Sequence, residues 1–126
     1  MQAITLFSGA FTPADAIGQT LAERTGYPLV ADELLIARSA EQLDVSPEQL
    51  KKTLFGRPGR WGFVARPKHR AAAVAAIREA MAAMLAQRPA IFCGLLGLLL
   101  PHRLTTRAMV YADTETRLAI ALKSAG

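Results

Sequence analysis

The sequence predicts an α/β protein with three layers, in which helices cover both faces of a mostly parallel sheet. Short apolar segments typical of buried strands alternate along the chain with segments whose apolar residues recur at helical spacing. This alternation favours parallel strands joined by right-handed crossovers. Of the 126 residues, 52% are hydrophobic and 20% are charged, which suits a folded domain rather than a disordered chain. We therefore expect residues 1–126 to form a single domain. One domain of a longer protein is the alternative.

The predicted elements follow one another as strand, helix, strand, helices, strand, strand and helix. The predicted strands are apolar or alternating segments at 3–8, 27–31, 90–95 and 107–112. Four of the predicted helices cover residues 17–26, 34–43, 71–87 and 114–123. A fifth, short helix follows a cap at Ser46 and ends at Leu54. The long fourth helix has an apolar stripe formed by Val74, Ile77, Met81, Met84 and Leu85.

The connection between the first strand and the first helix, residues 9–15, lies where nucleotide-binding α/β proteins hold phosphate. Its sequence is Gly-Ala-Phe-Thr-Pro-Ala-Asp. The ring of Phe11 crowds a phosphate cavity, and Pro13 has no N–H to donate. Thr12 is a good N-cap for a helix whose first residue is Pro13, and the Asp15 carboxylate repels phosphate at that end. The sequence predicts a structural helix start plugged by an aromatic ring.

Several segments of the chain resemble the cytidylate-kinase-like family of P-loop nucleoside monophosphate kinases. The matching opening segments are Ile4-Thr5-Leu6, Ile17-Gly18, Leu21-Ala22-Glu23-Arg24, Gly26-Tyr27-Pro28 and Asp32-Glu33-Leu34. Downstream, Ile91-Phe92-Cys93-Gly94 and the segment 110–117 are similar to the family's central strand, its next strand and its acid-to-arginine helix start. The resemblance implies a P-loop kinase-like fold for nearly the whole chain.

The same resemblance implies that the catalytic pattern is degenerate. In the family this loop reads Gly-Ser-Gly-Gly, but the matching positions of this chain are Phe11, Thr12, Pro13 and Ala14. A basic residue tends to follow that loop in the family, whereas this chain has Asp15 at the position. After the central strand the family has a Gly-Arg pair, and this chain has Gly94-Leu95 instead. The family's arginine-rich lid and final strand are not represented before Gly126. Because phosphoryl transfer depends on positioning and positive charge, we expect no catalytic residues and no cofactor; ATP and Mg²⁺ belong only to the alternative of an active kinase.

Two polar residues match the family's pattern and are candidate remnants of a substrate site. Asp32 follows the second strand, at the edge where parallel sheets gather ligands, and the interpretation we favour is that it caps a helix beginning at Glu33. Arg117 is the second remnant. The interpretation we favour for it is an ion pair with Asp113, four residues earlier on the last helix.

A basic segment at about residues 55–70 is the candidate interaction loop. It is broken by glycines and prolines and interleaves cations with aromatic rings, and its candidate residues are Arg57, Arg60, Trp61, Phe63, Arg66, Lys68 and Arg70. With a net charge of +5, this mixture is compatible with nucleic acid, although basic residues usually form a solvated surface. The segment therefore supports nucleic-acid binding only as a second alternative.

Other chemistry has little support in the sequence. His69 and His102 have no carboxylates or thiols nearby at ligand spacing, so no metal site is expected. Cys93 suits a small core residue better than a nucleophile, and a single cysteine favours the reducing cytoplasm. The most apolar window, 90–100, falls short of the roughly 20 residues of a membrane span.

These observations predict a catalytically degenerate kinase-like domain that acts as a regulatory or protein-interaction module. A protein partner or self-association as a dimer is expected to cover the sheet and helix surface that the missing final elements leave open. A nucleotide-binding cytidylate-type kinase, or part of one, is the alternative from the enzyme class.

Overall fold

The computed structural model describes residues 3–8, 11–56 and 67–125. The elements of this part of the chain are, in order, β1 Ala3–Ser8, α1 Ala14–Thr25, β2 Leu29–Ala31, α2 Asp32–Leu43, α3 Pro47–Phe55, α4 Pro67–Gln87, β3 Ala90–Cys93, β4 Thr105–Val110 and α5 Thr114–Ala125. Two short 3₁₀ turns, Leu96–Leu99 and His102–Leu104, connect β3 to β4. The predicted order of strands and helices is confirmed.

The four described strands form one sheet in the order β2-β3-β1-β4, and every pair is parallel. Ala3 lies opposite Ala90 on one side and Thr105 on the other, so β1 is an interior strand. A purely parallel sheet needs cover on both faces, because its crossovers place helices there. The predicted α/β class with a parallel sheet is therefore confirmed.

The larger core lies on the sheet face that α2, α3 and α4 cover. Phe92 of β3 is buried there with Leu35 of α2, Leu50 of α3, and Ile77 and Met81 of α4. The predicted stripe on α4 is confirmed at its centre, where Ile77, Met81 and Leu85 are buried. Burial of these side chains supplies most of the stabilisation of the fold, at about 1.5–3 kcal/mol each.

The opposite face carries α1, which lies very close to the sheet. Gly18 is the buried residue of this helix, and a Cβ atom added there would lie 3.3 Å from Cδ1 of Leu29 in β2. Leu6 of β1 is the next neighbour on the same face. Two adjacent residues of β1, Thr5 and Leu6, point to opposite faces, so the sheet separates α1 from α2, α3 and α4.

Two predicted caps are confirmed, while several predicted boundaries are wrong. The N–H of Gln49 donates to Oγ of Ser46 at 3.1 Å, and the N–H of Thr116 donates to Oδ1 of Asp113 at 2.7 Å. β2 begins at Leu29 rather than at residue 27. β3 ends at Cys93 rather than at residue 95, because Gly94 turns the chain with a φ of +138°.

The helices α1 and α2 begin at Ala14 and Asp32, before their predicted starts at residues 17 and 34. Two further boundary errors concern β4 and α4. β4 starts at Thr105, whose hydroxyl is 2.8 Å from that of Thr5, and ends at Val110 rather than at residue 112. α4 starts at Pro67, four residues before the predicted start, because proline is well tolerated in the first turn of a helix. Within the described part of the chain, no helix combines the length and apolarity that crossing a membrane requires.

Candidate functional site

The candidate site lies at the carboxyl edge of the sheet, where β2 and β3 end side by side. Asp32 is the first residue of α2, and its side chain reaches across to the chain that follows β3. Its Oδ2 accepts a hydrogen bond from the N–H of Leu95 at 2.9 Å, and its Oδ1 accepts one from the N–H of Leu96 at 3.1 Å. One carboxylate therefore occupies two successive backbone donors at the edge where open α/β sheets bind ligands.

The prediction that Asp32 caps the helix beginning at Glu33 is wrong. α2 begins at Asp32 itself, and the residue before it, Ala31, makes no side-chain hydrogen bond to the helix. Because β2 and β3 are parallel and adjacent, the donors after β3 lie within reach of the Asp32 carboxylate. The prediction that Asp32 lies at the ligand edge of the sheet agrees with its position.

The contact between the Asp32 carboxylate and the chain after β3 requires a glycine at position 94. Its φ of +138° is a conformation that residues with side chains rarely adopt. A Cβ atom added at Gly94 would collide with the carboxylate of Asp32. The absence of a side chain at Gly94 therefore lets the carboxylate approach the chain that it holds.

The loop before α1 differs from the predicted plug. Gly9 and Ala10 lie outside the described residues, and Phe11 has a φ of +58°, the left-handed conformation that favours glycine. The Phe11 side chain is 47% exposed, so the ring does not fill a cavity and this part of the prediction is wrong. The predicted helix start at Pro13 is wrong, because α1 begins at Ala14 and Pro13 is the residue that precedes it. The Thr12 cap stays a prediction.

The described charged side chains around Cys93 at this edge are acidic. Burial, followed by the charges of Asp15, Asp32 and Glu33, raises the pKa of the half-buried Cys93 thiol at the end of β3. Cys93, which the sequence predicts to be a small core residue, is only half-buried, and its raised pKa opposes a role as a nucleophile. The same carboxylates oppose the approach of a phosphate.

A groove of about 270 Å³ opens between α2 and α3 beside this edge. Its lining residues are Asp32, Glu33, Ile36, Pro47, Glu48, Lys51 and Phe55. Among the described residues of this lining, carboxylates outnumber ammonium groups, and their negative charge repels phosphate.

The two candidate remnants, Asp32 and Arg117, follow different strands of the sheet. Asp32 follows β2 at one edge of the sheet and Arg117 lies in α5, which follows β4 at the other, with β3 and β1 between them. The Asp113 carboxylate caps α5 through Thr116, and the N–H of Arg117 donates to the backbone oxygen of Asp113. The ion pair between Arg117 and Asp113 stays a prediction.

Most of the candidate interaction loop lies outside the described residues. This holds for the five residues Arg57, Arg60, Trp61, Phe63 and Arg66. Lys68 and Arg70 are exposed, but they belong to the first turn of α4 rather than to a loop, so the predicted extent of the loop is wrong there. Nε of Arg70 lies 3.4 Å from the backbone oxygen of Thr53, which ties the start of α4 to α3.

Histidine and cysteine do not assemble into a metal centre in the described segments. No group of three or more His, Cys, Asp or Glu side chains among residues 3–8, 11–56 and 67–125 has an arrangement that could hold a metal ion. His102 lies 3.2 Å from Nη1 of Arg107, whereas His69 lies at the start of α4.

Sequence reasoning missed two features that the structure shows. The first is the pair of backbone donors at Leu95 and Leu96, because a hydrogen bond between segments 63 residues apart leaves no local pattern. The second is Arg107, which donates from Nη2 to the backbone oxygens of Leu98 and Leu100 and so holds the 3₁₀ turn against β4. The signal that could have indicated the second feature is an arginine within a predicted strand.

Comparison with known proteins identifies the fold. No protein-family model matches the chain, and no curated protein matches it. The crystal structure of TT1252 from Thermus thermophilus is similar, with a TM-score of 0.59 over 96% of this chain and 71% of that chain. The two sequences are 17% identical, so the likeness shows the fold alone. It agrees with a three-layer α/β fold of the Rossmann or P-loop type.

Proposed function

We propose that this chain is a nucleoside-monophosphate-kinase-like domain that has no catalytic activity and acts as a regulatory or protein-interaction module. The resemblance to the cytidylate-kinase-like family supports the kinase-like part of the proposal. The single cysteine makes the cytoplasm the compartment we propose.

The observation that carries the loss of catalysis is the start of α1, the connection at which nucleotide-binding folds hold phosphate. The residue that precedes this helix is Pro13, which has no N–H to donate, and Asp15 places a carboxylate in the first turn. Among the described residues, Asp32 and Glu33 add charges of the same sign as a phosphate near this edge. Phosphoryl transfer needs positive charge around the transferred group, and these described carboxylates oppose it.

The exposed apolar side chains of the last strand and helix support the interaction role. Tyr111, just after β4, is 77% exposed, and Leu122 of α5 is 72% exposed. Leu118, one turn before Leu122, is 59% exposed. Apolar side chains grouped on one helix face are a common mark of an interaction surface.

Thermal unfolding with and without nucleotides tests the proposal. A ligand at 100 times its Kd stabilises the folded state by about 2.7 kcal/mol and raises the Tm by several degrees. We expect no shift with ATP, CMP or CDP at millimolar concentration, with Mg²⁺ and without it. A saturable shift, confirmed by transfer of phosphate from ATP to CMP, would overturn the proposal in favour of an active kinase.

A further inference from the structure

The last helix, α5, is poorly held by the rest of the described structure. Of residues 114–124, only Ile120 and Ala121 are even half-buried. Helices of about 12 residues are marginal in water without tertiary packing. A helix of 12 residues with so little cover therefore needs a partner for its other face.

The uncovered face of α5 is apolar. Leu118 and Leu122 are one turn apart, so they project from the same side of the helix, with Ala119 beside them. Ile120 and Ala121 lie on the side that faces the protein. We refer to Leu118, Ala119 and Leu122 as the α5 patch.

The charges that flank the α5 patch suit a second copy of the same helix. Glu115 lies in the first turn of α5 and Lys123 in the last, so each is four residues from Ala119 in opposite directions. If two copies of α5 pack antiparallel about Ala119, each Glu115 lies level with Lys123 of the other copy. The same alignment sets Leu118 beside Leu122 of the other copy and opposes the two helix dipoles favourably.

We infer that the α5 patch is the contact surface of a symmetric homodimer in which two α5 helices pack antiparallel, with Ala119 at the two-fold axis. The inference rests on the proposed function, since it names a second copy as the partner of the interaction module. Ala119 allows the two backbones to approach closely, because its side chain is small. One helix pair buries less than the standard interface of about 1,600 Å², so we expect a Kd in the micromolar range or weaker.

Sedimentation equilibrium from about 10 μM to 1 mM tests the association. We expect a monomer–dimer equilibrium that L122D weakens at least ~30-fold, because a charge then enters the apolar centre. L34D is the matched control, since Leu34 is an exposed leucine on α2, and it should leave the equilibrium unchanged. Circular dichroism reports whether L122D stays folded. A monomer over the whole range, or equal effects of L122D and L34D, would overturn the inference.

Charge exchange tests the antiparallel alignment itself. E115K and K123E should each weaken the dimer about 5-fold, and the double variant E115K/K123E should restore it, since both contacts are rebuilt with the signs reversed. E41K on α2 makes the same change in net charge away from the patch and is the control. Failure of the double variant to restore association would overturn this geometry.

Cross-linking gives an independent measure that does not depend on affinity. In a C93S background, A119C should form a disulfide-linked dimer under mild oxidation, because the two-fold axis brings the two thiols together. A82C, at an exposed alanine of α4, should stay monomeric under the same conditions. If the A119C variant forms disulfides only with other proteins, and none with a second copy of itself, the homodimer is overturned. Nucleotide binding is measured separately and decides the proposed function. Failure of the homodimer and failure of the proposed function are therefore distinguishable.

Discussion

The side chain that Gly94 lacks and the carboxylate of Asp32 occupy the same space. A Cβ atom at Gly94 would collide with Cγ and both carboxylate oxygens of Asp32. The two residues lie at the ends of adjacent parallel strands, β3 and β2, and their fit allows Asp32 to accept hydrogen bonds from Leu95 and Leu96. Gly94 and Asp32 therefore act as one structural unit at the carboxyl edge of the sheet.

Gly94→Ala should lower the free energy of unfolding by about 3 kcal/mol. The substitution adds a side chain at a φ of +138°, which costs about 1–3 kcal/mol, and it displaces the carboxylate from its two donors. Urea denaturation of wild type and variant measures the difference.

Gly26→Ala is the matched control for this substitution. Gly26 also has a positive φ, of +74°, but a Cβ atom added there meets nothing within 4 Å. Only the conformational cost of about 1 kcal/mol is expected. Equal losses for the two variants would show that the Asp32 carboxylate contributes nothing to the cost at Gly94.

Removal of the acidic groups at the edge should uncover an anion site. In the triple variant D15N/D32A/E33Q, the N–H groups of Leu95 and Leu96 lose their acceptor, and the neighbouring negative charges are gone. Inorganic phosphate should then bind at millimolar concentration and shift the amide signals of residues 95 and 96 in NMR spectra.

Wild type and the variant D15N/E33Q are the controls for this experiment. Both retain Asp32, so neither should respond to phosphate at residues 95 and 96. A response of wild type equal to that of the triple variant would mean that the carboxylate does not block these donors.

The thiol of Cys93 should react slowly with disulfide reagents at neutral pH. Its pKa is raised above the ordinary value of 9.0, first by burial and then by Asp15, Asp32 and Glu33, so the reactive thiolate forms only at higher pH. The rate of reaction with an aromatic disulfide, measured from pH 7 to pH 11, gives this pKa. D15N should move the rate profile to lower pH, whereas E41Q, far along α2, should leave it in place.

The sequence predicted those features of the fold that depend on local pattern. The apolar periodicity of α4 and the Ser46 and Asp113 caps need only neighbouring residues, and the structure confirms them. The start of β4 at Thr105 was missed because Thr105 pairs with Ala3 of β1, a partner far away in sequence that leaves no local pattern.

The position of Asp32 after β2 could be predicted from the sequence, but its hydrogen-bond partners could not. The favoured prediction was a helix cap, whereas the partners at Leu95 and Leu96 are backbone groups and carry no signature in residue type. The exposure of Leu122 was also beyond prediction, since a leucine at helical spacing is ordinarily buried. Long-range backbone contacts, and helix faces that no other element covers, arise only when the whole chain has folded, so a local sequence pattern does not predict them.

The cap of α5 should make this helix sensitive to acid. Hydrogen bonds from the hydroxyl and then the N–H of Thr116 lower the pKa of the Asp113 carboxyl below its ordinary value of 3.8. A lowered folded-state pKa means that the charged form favours the helix. Its contribution is therefore fully present above pH 3.8 and is lost as the pH falls through the folded-state value.

Carboxyl NMR titration of Asp113, together with the amide signal of Thr116, measures this coupling. D113N should keep the cap, because asparagine is an equally good N-cap, but it should abolish the acid-dependent fraying of α5. T116V removes the hydroxyl and should return the pKa of Asp113 part of the way to its ordinary value, while the backbone N–H still donates. Fraying of α5 at the same pH in D113N and wild type would assign the acid sensitivity to another group.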